Sequence, residues 1–164
     1  MTHHIIMPSP LGNILLVGGD QGLTGLHFQA AAKPAEPPIG SIESPKYFTE
    51  TIRQLNAYFS GDLKDFTLRL LPEGSEFQRN VWKALCKIPY GTTISYGELA
   101  RRIGKPSASR AVGGANGRNP LPIIIPCHRV INGNGQLGGY SCGLEIKKYL
   151  LSLEDKYSKS ASSK

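Results

Sequence analysis

Ser95-Tyr96-Gly97-Glu98-Leu99-Ala100-Arg101-Arg102-Ile103-Gly104-Lys105-Pro106-Ser107-Ala108-Ser109-Arg110-Ala111-Val112-Gly113-Gly114-Ala115 is the stretch that decides the fold. Ser95, with Glu98 three residues on, has the form of a capping box that opens a helix. Tyr96, Leu99, Ala100 and Ile103 then recur at helical spacing, so the tyrosine shares the inward face. Gly104-Lys105-Pro106 breaks the chain, and Ser107 is placed to cap a second helix running through Ser109, Arg110, Ala111, Val112 and Gly113. Helix, short glycine turn, helix is the pattern of a helix-turn-helix. Many helical hairpins share it, so the pattern needs support from elsewhere in the chain.

Working outward, Ser75 and Gln78 form another capping box, ahead of Phe77, Val81, Trp82, Leu85 and Ile88 on one helical face, with Pro89-Tyr90-Gly91 as the stop. A last helix spans about Gly143 to Glu154, with Ile146, Tyr149, Leu150 and Leu153 inward. Lys156 to Lys164 is polar and is expected to be a disordered tail. Before Pro72-Glu73-Gly74 the chain reads as α+β. His4 to Met7, Asn13 to Gly18 and Leu23 to Phe28 are strand-like, and Pro45 to Phe59 is helical, with Phe48, Ile52, Leu55 and Phe59 in register. Asp65 to Leu71 alternates like one more strand, and Ala30 to Ile42, rich in Ala and Pro, reads as a flexible loop. The expectation is a scaffold domain over 1–74, a functional domain over 75–155 and a tail over 156–164.

Charge adds to the pattern. Of the 164 residues, 1–75 carry 5 Lys/Arg and 7 Asp/Glu, whereas 76–164 carry 14 and 5. Such asymmetry points to a polyanion partner for the second half alone. The second helix of the motif has an unusual face, because Ala111, Val112, Gly113, Gly114 and Ala115 offer almost nothing to hydrogen-bond a base edge. That suits close, sequence-tolerant approach to DNA with Arg110 as the reaching group, as in a minor-groove binder that inserts a side chain into the stack. A glycine-rich helix packed tightly on a neighbour has the same composition. No apolar run is long enough for a membrane span, and no signal-peptide pattern precedes the first strand. Three widely spaced cysteines make neither a disulfide framework nor a zinc pattern, so a cytoplasmic, reducing setting and no membrane partner are expected.

The chemistry-bearing stretch is Pro126-Cys127-His128-Arg129-Val130, after the apolar run Leu121-Pro122-Ile123-Ile124-Ile125. That run reads as a strand ended by Pro126. A cysteine reacts as thiolate and needs a base or positive charge beside it. On a regular strand neighbouring side chains point to opposite faces, so Cys127 and His128 cooperate only if the backbone turns sharply or a water relays between them. A histidine base also needs an acid on its other nitrogen, and Glu76, Glu98, Glu145, Glu154 and Asp155 are the acids of this half. Glu154, at the end of the last helix, is favoured. Cys86 and Cys142 have simple packing readings.

At Ile94-Ser95-Tyr96, Ser109 to Ala115, Asn119-Pro120, Ile125 to Val130 and Gly139-Tyr140-Ser141 followed by Gly143-Leu144-X-X-Lys147, the chain resembles the O6-alkylguanine-DNA alkyltransferases. The resemblance is close over about residues 75–155. It implies a ribonuclease-H-like N-terminal domain, a small antiparallel sheet with a helix, and a mostly helical, winged-helix-like C-terminal domain. It also implies DNA repair by transfer of an alkyl group from O6-alkylguanine, with O4-alkylthymine as a further substrate, onto Cys127. His128 would activate the thiol through a water and Glu154 would orient the imidazole. Tyr96 would protonate the leaving purine, Arg110 would fill the gap in the base stack, and Asn119 would brace the turn that presents the cysteine. Tyr140, Ser141 and Cys142 would line the guanine pocket, with Lys105, Ser109 and Arg118 on phosphates. The expected partner is double-stranded DNA gripped in the minor groove by a monomer. A thioether product resists water, so the protein would act once, with no metal and no organic cofactor. Cys142 departs from a position often glycine in the family, and its bulk would restrict large alkyl groups. A non-catalytic damage sensor lacks the cysteine, a transcription regulator needs base-reading side chains, and a papain-type hydrolase needs another Cys–His geometry.

Overall fold

The computed structural model describes residues 1–30 and 34–162, in two units, Met1–Glu73 and Gly74–Lys164. The first unit holds strands β1 (His3–Met7), β2 (Ile14–Gly19), β3 (Gly22–Phe28) and β4 (Ile42–Glu43) in the order β3-β2-β1-β4. β1 and β3 flank β2 antiparallel, but β4 joins β1 in parallel, so the sheet is mixed rather than purely antiparallel as expected. β4 comes from the stretch read as loop, and residues 31–33 of that stretch lie outside the described residues. In the central strand Ile14, Leu15, Leu16 and Val17 are all buried, which is why its sequence is a continuous apolar run and does not alternate.

Helix α1 spans Thr49–Phe59 after a single 3-10 turn at Pro45–Tyr47, and it packs Leu55, Tyr58 and Phe59 inward. The strand expected over Asp65 to Leu71 is corrected. Leu23 donates to Arg69 O at 2.9 Å and accepts from Leu71 N at 2.8 Å, and no further ladder forms. The rest of the segment is held by the wholly buried Gln54 of α1, whose amide bonds Thr67 N at 2.9 Å and Thr67 Oγ1 at 3.0 Å. A side chain does there what a neighbouring strand would do.

The second unit contains α2 (Glu76–Leu85), β5 (Ile94–Ser95), α3 (Tyr96–Arg102), α4 (Ser109–Gly117), β6 (Val130–Ile131) and α5 (Leu144–Ser162), with β5 and β6 paired in parallel. The box opening α2 is complete, Ser75 Oγ accepting from Gln78 N and Gln78 Oε1 from Ser75 N. At α3 only half forms: Ser95 Oγ accepts from Glu98 N, while the Glu98 carboxylate turns away to Arg101 and Arg102. Gly104, at φ +77°, makes the turn between α3 and α4. Ser107 lies in that turn and does not cap α4, which starts after Ala108 with no side-chain cap. Trp82 ties α2 to α4 by donating its indole N–H to Ala115 O at 2.9 Å.

Two expectations fail here. Leu121 to Ile125 form no strand; they make a buried turn closed by Ile125 N to Leu121 O at 2.9 Å, with Ile123 at φ +74°. Such a φ strains a β-branched residue by about 1–3 kcal/mol. Ile123 is only 1% exposed, and burying it returns about 1.5–3 kcal/mol, enough to hold the turn. The tail is the second correction, since α5 continues from Lys156 to Ser162. Its polar residues hide a contact: Ser158 sits so close to Gly91 that a Cβ there would lie 1.8 Å from its hydroxyl. An Asp155–Lys159 pair at i,i+4 adds local support. Residues 163 and 164 lie outside the described residues. No helix among the described residues is long and apolar enough to cross a membrane.

Candidate active site

The buried turn delivers the thiol. Asn119 closes it from both sides, donating from Nδ2 to Ile125 O at 2.8 Å and accepting Leu121 N on Oδ1 at 2.9 Å. After Pro126 the backbone coils into one 3-10 turn over Cys127–Arg129, with Cys127 N on Ile125 O at 2.8 Å and Arg129 N on Pro126 O at 3.1 Å. A turn, not a strand, therefore carries Cys127 and His128, and the opposite-face argument lapses. Asn119→Ala would leave the buried Leu121 amide unpaired, at about 1–3 kcal/mol, and would take from Ile125 O one of its two donors, leaving it Cys127 N alone. We expect its melting temperature to drop by several degrees in a thermal scan.

Cys127 is 3% exposed, and its Sγ lies 3.3 Å from the Tyr140 hydroxyl. Burial pushes the thiol above its ordinary range, while the Tyr140 and Asn119 side chains and the Lys147 charge pull the other way. The resting residue is therefore a protonated thiol. His128 is fully buried and its Nε2 stands 2.7 Å from Glu154 Oε2. Burial lowers the imidazole's affinity for a proton, with the carboxylate opposing. Glu154 is ionised: burial pushes its carboxyl upward, but His128 and Arg129 together hold it well below the usual carboxylate range. A carboxylate accepts only, so the neutral imidazole carries its proton on Nε2 and Nδ1 is the basic atom. Nδ1 is buried with no hydrogen-bond partner among the described residues.

Arg129 has a part that sequence reasoning missed. It donates Nε to Glu154 Oε1 at 2.8 Å and one terminal nitrogen to Oε2 at 2.9 Å, while the other bonds Ile88 O at 2.7 Å. Bidentate pairing of this kind is both strong and directional. Gly91 N adds a bond to Oε1 at 3.3 Å. Lys147 is wholly buried and donates to Val130 O at 2.8 Å, Leu137 O at 2.5 Å and Gly139 O at 3.2 Å. It fastens the loop that carries Tyr140 to α5. Lys147 and Glu154 are seven residues apart, two turns on one face, and that spacing was the available signal. Asn116, also missed, donates to Cys127 O at 3.3 Å.

A cavity of about 200 Å³ is lined by Tyr96 of α3, Gly113 and Asn116 of α4, and Gly139, Tyr140 and Ser141. Tyr140 and Asn116 both touch Cys127, which puts the reactive segment against this cavity. Burial pushes the Tyr96 hydroxyl above 10.0, with charge on Cys127 adding to the shift and the Asn116 amide opposing it. Cys142 does not line the cavity. It is half-buried, and burial followed by the Cys127 charge pushes its thiol up to about 12. Lys105, Arg110 and Arg118 are exposed and Ser109 half-exposed, all in or beside α4, away from the buried centre. On α4, Gly113 packs beside the Tyr96 ring, whereas a Cβ on Gly114 or Gly117 would meet nothing within 4 Å. That open face admits close approach of another molecule's backbone. Among the described residues no group of three His, Cys, Asp or Glu side chains is placed to hold a metal ion.

Comparison with known proteins gives concordant matches over both units. The family described as the 6-O-methylguanine DNA methyltransferase DNA-binding domain matches residues 76–156, and that described as the 6-O-methylguanine DNA methyltransferase ribonuclease-like domain matches residues 2–72. The methylated-DNA–protein-cysteine methyltransferase of Methanosarcina barkeri is 56% identical over 153 residues, covering 93% of this chain and 97% of that protein. The protein of the same name from Mycolicibacterium paratuberculosis is 48% identical over 159 residues, covering 96% and 95%. The crystal structure of Mycobacterium tuberculosis OGT in complex with DNA superposes with a TM-score of 0.88 at 45% identity, covering 94% of each chain.

Proposed function

The chain belongs to the 6-O-methylguanine DNA methyltransferase family, and from that premise we propose that it repairs DNA directly, taking the alkyl group of O6-alkylguanine onto Cys127. The observation that carries the assignment of residues is a buried thiol set against a base-sized cavity and followed by a His–Glu–Arg chain of hydrogen bonds. The damaged guanine leaves the stack and enters the cavity. Sulfur attacks the alkyl carbon, and the bond from that carbon to O6 breaks with its electron pair left on the purine. The thiol proton passes through a water to His128 Nδ1, and Glu154 stabilises the imidazolium that results. Tyr96 donates its proton to the purine ring as negative charge arrives there. The product is a thioether, which water does not cleave as it cleaves a thioester, so each molecule acts once. A damage sensor without transfer chemistry has no use for this thiol.

The same reading sets the protein on DNA as a monomer through α4, in the minor groove, with Lys105, Ser109 and Arg118 on phosphates. Arg110 takes the place of the extruded base, offsetting part of the few kcal/mol of unstacking. Arg110→Ala should slow repair in duplex DNA by roughly 10–100-fold, equivalent to about 1.4–2.7 kcal/mol. Its reaction with the free alkylated base should be unchanged. Equal losses on both substrates would remove the stacking role. The test of the function itself is stoichiometry. Titrating the protein into an excess of methylated oligonucleotide should clear one lesion per molecule and stop, and continued clearance would overturn the proposal.

A further inference from the structure

Away from the reactive centre, the second unit has a groove of about 360 Å³ between α2 and the C-terminal end of α3, lined among others by Asn80, Lys83, Lys87, Arg102 and Gly104. Arg102 is paired with Glu98 at 3.1 Å. Lys83, in the last turn of α2, and Lys87, in the turn that follows it, are both exposed, and no carboxylate lines the groove with them. Asn80, one turn before Lys83, adds an amide donor. Gly104 leaves its end of the wall open, since a Cβ there would meet nothing within 4 Å. A groove with cations, an amide donor and an open backbone wall fits a chain of phosphates.

Its position selects the source of those phosphates. Gly104 begins the turn that leads through Lys105 into α4. In a helix-turn-helix seated on duplex, the first helix crosses the sugar-phosphate backbone while the second enters the groove. A duplex held by α4 therefore continues past the basic end of α3, where Arg101 and Arg102 stand, toward α2. We propose that the α2–α3 groove is a second contact for the DNA backbone, holding duplex that flanks the lesion beyond the reach of α4. This rests on the assignment of α4 as the DNA-binding helix. The chemistry at Cys127 does not need the groove, so it tunes where and how long the protein stays, not whether it reacts.

The experiment compares the full chain with a Lys83→Gln, Lys87→Gln double variant on two methylated duplexes. One spans about two helical turns, roughly 20 base pairs, and the other about one turn, roughly 10 base pairs. Affinity is measured against salt. On the long duplex the variant should lose about 1.8 from the slope of log affinity against log salt, about 0.9 for each phosphate contact. Between 50 and 200 mM salt the parent would then lose about twelvefold more affinity than the variant. On the short duplex the two should bind alike and transfer methyl at equal rates. An unchanged slope on the long duplex, or an equal loss on both, would overturn the proposal. So would polyglutamate binding that the substitutions abolish while DNA affinity stays the same, because that marks an acidic protein partner. If the parent bound neither duplex, the reading of α4 would fall instead, which is a distinct result.

Discussion

Cys127→Ser is expected to abolish methyl transfer while leaving duplex binding intact. The swap is nearly isosteric at a position 3% exposed, and a serine hydroxyl retains a partner in Tyr140. Folding should therefore survive. The chemistry should not, because an alcohol is far less acidic than a thiol and His128 is a weakened base in its buried setting. Removing the nucleophile from other enzymes of nucleophilic type costs on the order of 10⁶ in rate, and transfer here should likewise fall below detection. Intact-mass measurement after incubation with methylated oligonucleotide should give the parent one methyl and the variant none. A variant that still transferred within a hundredfold of the parent would place the nucleophile elsewhere. Cys142, the half-buried thiol nearby, would be the first residue to examine.

Arg129→Met should produce the largest loss of stability. It leaves the Glu154 carboxylate buried with one cationic partner removed, and breaking a buried pair from one side costs about 3–5 kcal/mol. Adding Glu154→Gln should recover part of that cost, since no unpaired charge is then left inside; chemical denaturation of the two single variants and the double gives the coupling. The pH dependence has a definite sign. Glu154 titrates below its unfolded value of 4.5, so its contribution is present above that pH and is lost as pH falls toward the folded value. His128 is held neutral below its ordinary 6.5, so below that pH the unfolded chain takes up a proton that the folded chain does not. Both act in one direction. Stability should decline from about pH 6.5 downward and steepen below about 4.5, and Arg129→Met, which brings the folded value of Glu154 back up toward 4.5, should flatten the steep part. A flat profile between pH 7 and 4 would contradict this account of the network. The exposed carboxylates Glu50 and Glu98, although held low by arginines, are screened by water and should contribute little to the profile.

Local signals made much of this structure readable from the chain. Ser75 and Gln78 start α2 where their spacing says, the apolar runs at the N-terminus become β1 to β3, and Gly104 turns the chain between α3 and α4. What failed depended on side chains reaching across the sequence. Three consecutive isoleucines and a proline read as the end of a strand, yet Asn119 bonds both ends of that segment and folds it into a turn. Asp65 to Leu71 alternates like a strand, but Gln54 takes the place of a neighbour. Lys156 to Ser162 looked too polar to order, and the contact between Ser158 and Gly91 is 67 positions away along the chain. In the candidate site, Glu154 stood out among five acids only by a helix end. Nothing local indicates that Arg129 would share it, or that Ile88, 41 residues earlier, would receive the same guanidinium.

The placement of Glu154 and Lys147 on α5 also bears on how the protein is made. Both residues follow Cys127 in chain order, so a ribosome delivers the sulfur before the groups that surround it. A nascent polypeptide that has reached Val130 already carries Cys127 and His128, but the carboxylate that bonds the imidazole is still unsynthesised. On the proposed assignment, chemical competence waits on the closing helix, and an interrupted translation product should carry an ordinary, idle cysteine.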